Sequence, residues 1–246
     1  MKKVLILQMR PENETADSEF EAILRVGKID REQVHRIRVE KFEKVEIDIN
    51  NYCAIIAGGS PFDVSCPAHK KSDVQKRIES FFNNLFDQII AIDFPFLGAC
   101  SGNGLLGSYS GTPISSRYSE PVGSVTVSLT PEGETDDLLI GLPQQFNAFV
   151  GHKEACESVP QGAVLLVTSK PCPVQMFRIK KNIYATQFHP EADVEEFILR
   201  IHTYKNYGYF PPEKADELIS AMKDEEAPDT KEILRRFVYK YKQWNL

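Results

Sequence analysis

The chain has 246 residues, and 29 Lys and Arg against 35 Asp and Glu leave a formal charge of −6 at neutral pH. That balance removes the broad positive field which non-specific nucleic-acid binding requires, so no nucleic-acid partner is expected. Hydrophobic residues at 42%, among them 15 Phe and 9 Tyr, supply ample core material and exclude disorder for most of the sequence.

The first element begins at once. Met1-Lys2-Lys3 followed by Val4-Leu5-Ile6-Leu7 resembles a signal peptide superficially, but Gln8, Arg10, Glu12 and Glu14 end the apolar run too early. Lys3 to Met9 therefore reads as a buried strand. No apolar stretch approaches the roughly 20 residues of a membrane-spanning helix, so no membrane role is expected. Further strands are expected at Val34 to Val39, Tyr52 to Ala57 and Phe94 to Ala99, and helices at Ser18 to Val26 and Ser72 to Ile90. In the second helix Val74, Ile78, Phe81, Phe82 and Leu85 form one apolar stripe. Alternation of this kind predicts a doubly wound α/β sheet with helices on both faces.

From Val122 to Gln187 the strands crowd together: Val122 to Leu129, Asn147 to Val150, Ala163 to Thr168, Val174 to Ile179 and Ile183 to Gln187. Short turns between them predict antiparallel pairing. Helices are then expected at Asp193 to Tyr207, Glu213 to Met222 and Thr230 to Lys242. The predicted organisation is one continuous domain over residues 1–207, with 208–246 as a helical extension packed on it, in the manner of an added helical hairpin.

Five cysteines, Cys53, Cys66, Cys100, Cys156 and Cys172, show neither a CxxC pair nor metal-ligand spacing, and their odd number argues against a disulfide framework. A reducing cytoplasm is the expected compartment, with no metal and no cofactor. One cysteine stands apart. In Gly98-Ala99-Cys100-Ser101-Gly102 it lies between a strand and a helix with a glycine two residues to either side, the pattern of a tight turn that projects a nucleophile outward. A sulfur at a helix N-terminus gains from the unpaired N–H groups and the dipole, which favour the thiolate that amide hydrolysis needs. The other four cysteines lack such a turn and read as structural.

Gln187-Phe188-His189-Pro190-Glu191 follows a strand directly, so His189 is expected at the edge of the sheet with its backbone fixed by Pro190. An imidazole there can take the thiol proton, and Glu191 can hold its tautomer and orientation. His35, on an alternating strand, His69, in a loop, and His202, on a helix face, are weaker rivals. His152 in Gly151-His152-Lys153-Glu154 follows a strand and is a candidate substrate-binding residue. Gly58-Gly59-Ser60-Pro61 ends the third strand with two glycines, so a backbone N–H there, together with that of Ser101, is the expected oxyanion site.

In type, order and spacing, Gly58-Gly59-Ser60-Pro61, Gly98-Ala99-Cys100-Ser101-Gly102 and Phe188-His189-Pro190-Glu191 resemble the class I glutamine amidotransferases, and within them the stand-alone group similar to the amidotransferase domain of GMP synthase. The resemblance spans roughly residues 1 to 205. It implies a flavodoxin-like three-layer fold with Cys100, His189 and Glu191 as catalytic triad, and hydrolysis of glutamine or a γ-glutamyl amide through a γ-glutamyl thioester. Members commonly read Cys-Leu-Gly-His-Gln where this chain has Cys100-Ser101-Gly102-Asn103-Gly104, so a substrate-binding glutamine is replaced by Gly104; Gly151 likewise stands for the usual serine. With no phosphate loop or pyrophosphatase loop in the chain, released ammonia would go to a separate synthase subunit, or the reaction would be catabolic. A catalytically impaired binding or regulatory protein is the alternative, with a covalent glutamine analogue on Cys100 as the discriminating observation. A peptidase or glyoxalase-like member of the same architecture fits less well, because Ser101 stands where those place a histidine.

Overall fold

A computed structural model describes residues 2–242; the last four positions of the expected extension lie outside the described residues. In chain order its elements are β1 (Lys3–Gln8), α1 (Asn13–Gly27), β2 (Val34–Arg38), β3 (Tyr52–Ala57), α2 (Asp73–Ile92), β4 (Phe96–Ala99), α3 (Ser101–Tyr109), β5 (Ile114–Ser115), β6 (Glu120–Leu129), α4 (Pro131–Glu134), β7 (Gln145–His152), β8 (Ala155–Cys156), β9 (Ala163–Thr168), β10 (Met176–Ile179), β11 (Ile183–Thr186), α5 (Val194–Tyr204), α6 (Ala215–Met222) and α7 (Pro228–Tyr241). Helix α1 starts five residues before the expected Ser18. Its first turn is largely polar, so apolar periodicity becomes visible only from Phe20.

Nine strands form one mixed sheet in the order β2-β1-β3-β4-β11-β10-β9-β6-β7, while β5 and β8 pair separately. Strands β2, β1, β3, β4 and β11 run parallel, and β10, β9, β6 and β7 continue antiparallel. Period-two alternation sends Val4 and Ile6 to one face and Leu5 and Leu7 to the other, and both faces are covered, which is why these strands read as unbroken apolar runs. On one face α1 and α7 pack through Phe20, Ile23, Ile233, Leu234 and Phe237; on the other α2 and α3 pack through Ile78, Phe82, Leu85 and Leu106. Ser72 caps α2 by accepting the N–H of Gln75.

Strand β11 departs from the antiparallel expectation. It pairs antiparallel with β10, yet on its other edge it runs parallel to β4, aligning Ala185 with Gly98 and Thr186 with Ala99. Short turns reveal the hairpin partner of a strand and are silent about its second neighbour. As a consequence the segment leading to His189 is laid beside the strand leading to Cys100.

Helices α6 and α7 serve different cores. Met222 of α6 joins Phe197, Phe210 and Val122 above α5 and β6. Phe237 and Tyr241 of α7 are buried in the main core, where Phe237 meets the Tyr184 ring edge-on at 6.4 Å and the Tyr241 hydroxyl donates to Asn182 Oδ1 at 2.7 Å. No helix among the described residues is long and apolar enough to cross a membrane.

Candidate active site

The carboxyl ends of parallel strands are where a doubly wound sheet collects polar groups. Strand β1 delivers Arg10, β3 delivers Gly58 to Ser60, β4 delivers Cys100 and β11 delivers His189. Cys100 takes φ 52° and ψ −98°, a left-handed conformation unusual for a side chain with a Cβ, and its N–H donates to Thr186 O at 2.8 Å. The flanking glycines make the turn possible: a Cβ at Gly98 would lie 2.8 Å from the carbonyl carbon of Gly102, and one at Gly102 would lie 3.2 Å from Ala57 O. Asn103 and Gly104 N–H groups donate to Cys100 O, starting α3 directly beneath the sulfur.

Cys100 and His189 line one cavity of about 30 Å³ together with Ser60, Gly151, Arg10 and Arg200. His189 is anchored by its N–H to Phe149 O at 3.0 Å, by its ring edge-on to Phe197, and by Nδ1, 2.8 Å from Glu191 Oε1. A carboxylate only accepts, so Nδ1 carries the hydrogen and Nε2 is left as the base. Glu191 Oε1 also accepts from Arg200 Nη2 at 2.9 Å. Burial opposes the Glu191 charge, but the His189 ring and the Arg200 guanidinium outweigh it and hold the carboxyl well below the usual range. Burial, then Arg200, push His189 below its ordinary 6.5 against the pull of Glu191. Burial raises the Cys100 thiol to about 11 despite Arg10 and Arg200. At neutral pH the resting pair is therefore thiol and neutral imidazole, ready for proton transfer rather than already ionised.

A second small pocket, of about 20 Å³, lies on the other side of Cys100 and brings in Ser101, Gly104, His152, Glu154 and Gln187. Tyr209 borders both pockets and its hydroxyl donates to Ser60 O at 3.3 Å. Tyr209 thus separates the two pockets on either side of Cys100. A Cβ at Gly104 would meet Val64 Cγ2 at 3.6 Å and Glu154 Oε1 at 4.0 Å, both ordinary contacts. At Gly151 a Cβ would press on Val122 at 3.1 Å.

Gly58 and Gly59, expected at the oxyanion site, lie beside a buried ion pair. The Gly58 N–H donates to Leu7 O at 3.0 Å and the Gly59 N–H to Glu19 Oε1 at 3.2 Å, so both are engaged. Their lack of a side chain makes room for a buried ion pair: a Cβ at Gly58 would sit 2.5 Å from Glu19 Oε2, and one at Gly59 would overlap Arg10 Nη2. Arg10 Nε donates to Glu19 Oε1 at 2.8 Å and Nη1 to the Tyr204 hydroxyl at 3.2 Å. Ser60 N–H donates to Ser101 Oγ at 2.8 Å, and that hydroxyl reaches back to Ser60 O at 3.1 Å. The Ser101 N–H, in the first turn of α3, has no acceptor within its helix.

Arg10, Glu19, Arg200 and Tyr209 were not evident as site residues from sequence. The one signal was position: Arg10 comes two residues after β1, at the end of the sheet where such groups gather.

Residues 21–202 match the family described as Glutamine amidotransferase class-I. The chain is 32% identical over 164 residues to the glutamine-hydrolysing GMP synthase subunit of Sulfurisphaera tokodaii, covering 66% of this chain and 78% of that protein. Against the subunit of the same name from Methanocaldococcus jannaschii it is 32% identical over 115 residues, covering 46% of this chain and 60% of the relative. A crystal structure of a glutamine amidotransferase from Thermotoga maritima superposes with a TM-score of 0.76 at 20% identity, over 99% of this chain and 100% of the other. That likeness extends the family's flavodoxin-like α/β architecture through α6 and α7, and with the match over most of the sequence it leads to one conclusion: the chain belongs to the class I glutamine amidotransferases and is an enzyme of that type.

Proposed function

We propose that this enzyme hydrolyses the side-chain amide of glutamine, or of a γ-glutamyl amide, through a thioester on Cys100. The observation that carries the reading is the shared cavity of Cys100 and a His189 whose Nδ1 is held by Glu191, which leaves Nε2 free to act. His189 Nε2 takes the thiol proton as the sulfur attacks the amide carbon. The C–N bond then breaks, the imidazolium gives its proton to the leaving nitrogen, and ammonia or an amine departs. Water activated by the same imidazole cleaves the thioester, so one water is consumed and glutamate and ammonia are produced. Glu191 keeps the tautomer and stabilises the transient imidazolium, while Arg200 keeps Glu191 ionised.

The developing oxyanion takes the Ser101 N–H as its first donor. The second is the Ser60 N–H, released when the Ser101 hydroxyl turns away from it. Gly104, Gly151 and His152 border the space that the rest of the substrate fills. Relatives named as glutamine-hydrolysing GMP synthase subunits suggest a separate synthase subunit as the consumer of the ammonia, and a cytoplasmic setting accords with free thiols.

Ammonia release from glutamine and from several γ-glutamyl amides, measured for the wild type and Cys100→Ala, tests the reading. We expect the variant to lose at least about 10³-fold in rate; equal rates would remove Cys100 as nucleophile. A covalent adduct of an electrophilic glutamine analogue on Cys100 is the second expected outcome, and its absence would count against the thioester.

A further inference from the structure

Where β6, β7 and the loop before β10 meet, a second set of buried polar groups converges. Glu120 opens β6, His152 closes β7 and Cys172 lies in the loop; one donor atom from each lies within 4.8 Å of the others, and all three residues are buried. His152 Nδ1 is 3.1 Å from Glu154 O and Nε2 is 2.8 Å from Glu120 Oε2. A carbonyl oxygen cannot donate, so Nδ1 carries the hydrogen. Nε2 and Glu120 Oε2 are held together by one hydrogen bond, which occupies only one of the two carboxylate oxygens. Gln175 Nε2 satisfies Glu120 Oε2 at 2.7 Å, but Glu120 Oε1 and Gln175 Oε1 are buried with no hydrogen-bond partner among the described residues. An unpaired carboxylate oxygen at 3% exposure is costly, and a water or a cation is needed to meet it.

We propose that Glu120, His152 and Cys172 form a binding site for a divalent transition-metal cation, with zinc the best match. One carboxylate and one thiolate cancel two positive charges and the imidazole stays neutral, so the loaded site carries no net charge into the interior. The nitrogen, oxygen and sulfur set suits zinc in tetrahedral geometry, whereas magnesium and calcium take oxygen ligands. Zinc bond lengths of about 2.0–2.3 Å separate ligand atoms by about 3.3–3.7 Å, so the widest separation in the cluster, up to 4.8 Å, must close by roughly 1 Å, while His152 Nε2 and Glu120 Oε2, now 2.8 Å apart, must part by about 0.5 Å or Glu120 must bind through its unpaired Oε1. Turning the Gln175 amide over would bring its oxygen toward the ion as a fourth ligand. The cation displaces the Cys172 thiol proton and replaces the His152–Glu120 hydrogen bond. Because His152 also borders the pocket beside Cys100, the ion would tie β6, β7 and the loop together behind that wall.

The test uses the full chain as Cys100→Ala, which removes the rival thiol beside His189. After chelator treatment, cobalt(II) is titrated by absorbance and zinc(II) by competition with a chromophoric chelator. We expect one equivalent with a thiolate-to-cobalt charge-transfer band, the band lost in added Cys172→Ser, and zinc bound at least about tenfold more weakly by Cys172→Ser and by Glu120→Gln. Absence of the band, or a band and affinity unchanged in Cys172→Ser, would overturn the site. Should Cys172→Ser fail to fold by circular dichroism, Glu120→Gln decides by the same zinc competition.

Discussion

At Cys100, positive φ, two flanking glycines and a helix start act together, yet burial still holds the thiol at about 11. In the proposed mechanism the thiol therefore reacts by proton transfer to His189, whose depressed affinity for protons keeps it neutral at pH 7. The acid limb of kcat/KM is accordingly expected below pH 6.5, the ordinary histidine value, in a pH–rate profile. Replacing Glu191 with Gln removes the charge that retains a proton on the ring, so the limb should move to still lower pH while the rate falls by about 10⁴-fold; a limb moving upward would contradict the arrangement. Gly104 offers a second test. Since a Cβ there meets only ordinary contacts, the backbone should accept Gly104→Gln, and the added amide should lower KM for glutamine by about tenfold, worth roughly 1.4 kcal/mol. The candidate triad Cys100, His189 and Glu191 could be picked out in the sequence because glycine or proline marks the backbone around each, and the fold brings the three together. Arg10, Glu19 and Arg200 could not, since an arginine or glutamate is written identically whether it is solvated or buried in an ion pair.

Among elements, β11 and α7 contribute most that the chain order conceals. Insertion of β11 between β10 and β4 joins the antiparallel half of the sheet to the parallel half, and the Cys100 N–H to Thr186 O bond fastens the two functional turns together. Helix α7 covers β3 and β7 beside α1 and places Phe237 and Tyr241 in the central core. Phe237→Ala should therefore cost about 3–5 kcal/mol, measured by urea unfolding, the range of a core deletion rather than of a peripheral contact. A loss under about 1 kcal/mol would mean that α7 is dispensable to the main fold. Strands with unbroken apolar runs and the striped α2 were readable because a single face or pair of faces fixes their periodicity. Where the apolar stripe of α7 would dock was not, because periodicity identifies the buried side of a helix and leaves its partner unnamed.

For the molecule as a whole, buried thiols set an alkaline limit. Burial raises Cys100 to about 11 and Cys156 and Cys172 to about 12, against 9.0 when free. The folded state thus keeps protons that the unfolded chain gives up, so this stabilisation is complete below pH 9 and is lost as pH rises toward 11 and 12. Denaturation midpoints should fall between about pH 8.5 and 11 in chemical unfolding; a flat profile across that interval would count against the burial of all three. By itself the sequence determined the α/β class, the order of most elements, the strand-to-helix turn at Cys100 and the His189-Pro190-Glu191 run, because backbone stereochemistry and hydrophobic periodicity are local and are written in consecutive residues. Only tertiary structure decided that β11 lies beside β4, that Gly58 and Gly59 make room for Arg10 and Glu19, and that Glu120, His152 and Cys172 converge. Each of these depends on which distant surfaces come into contact, and such contacts are selected by the packing of the whole core.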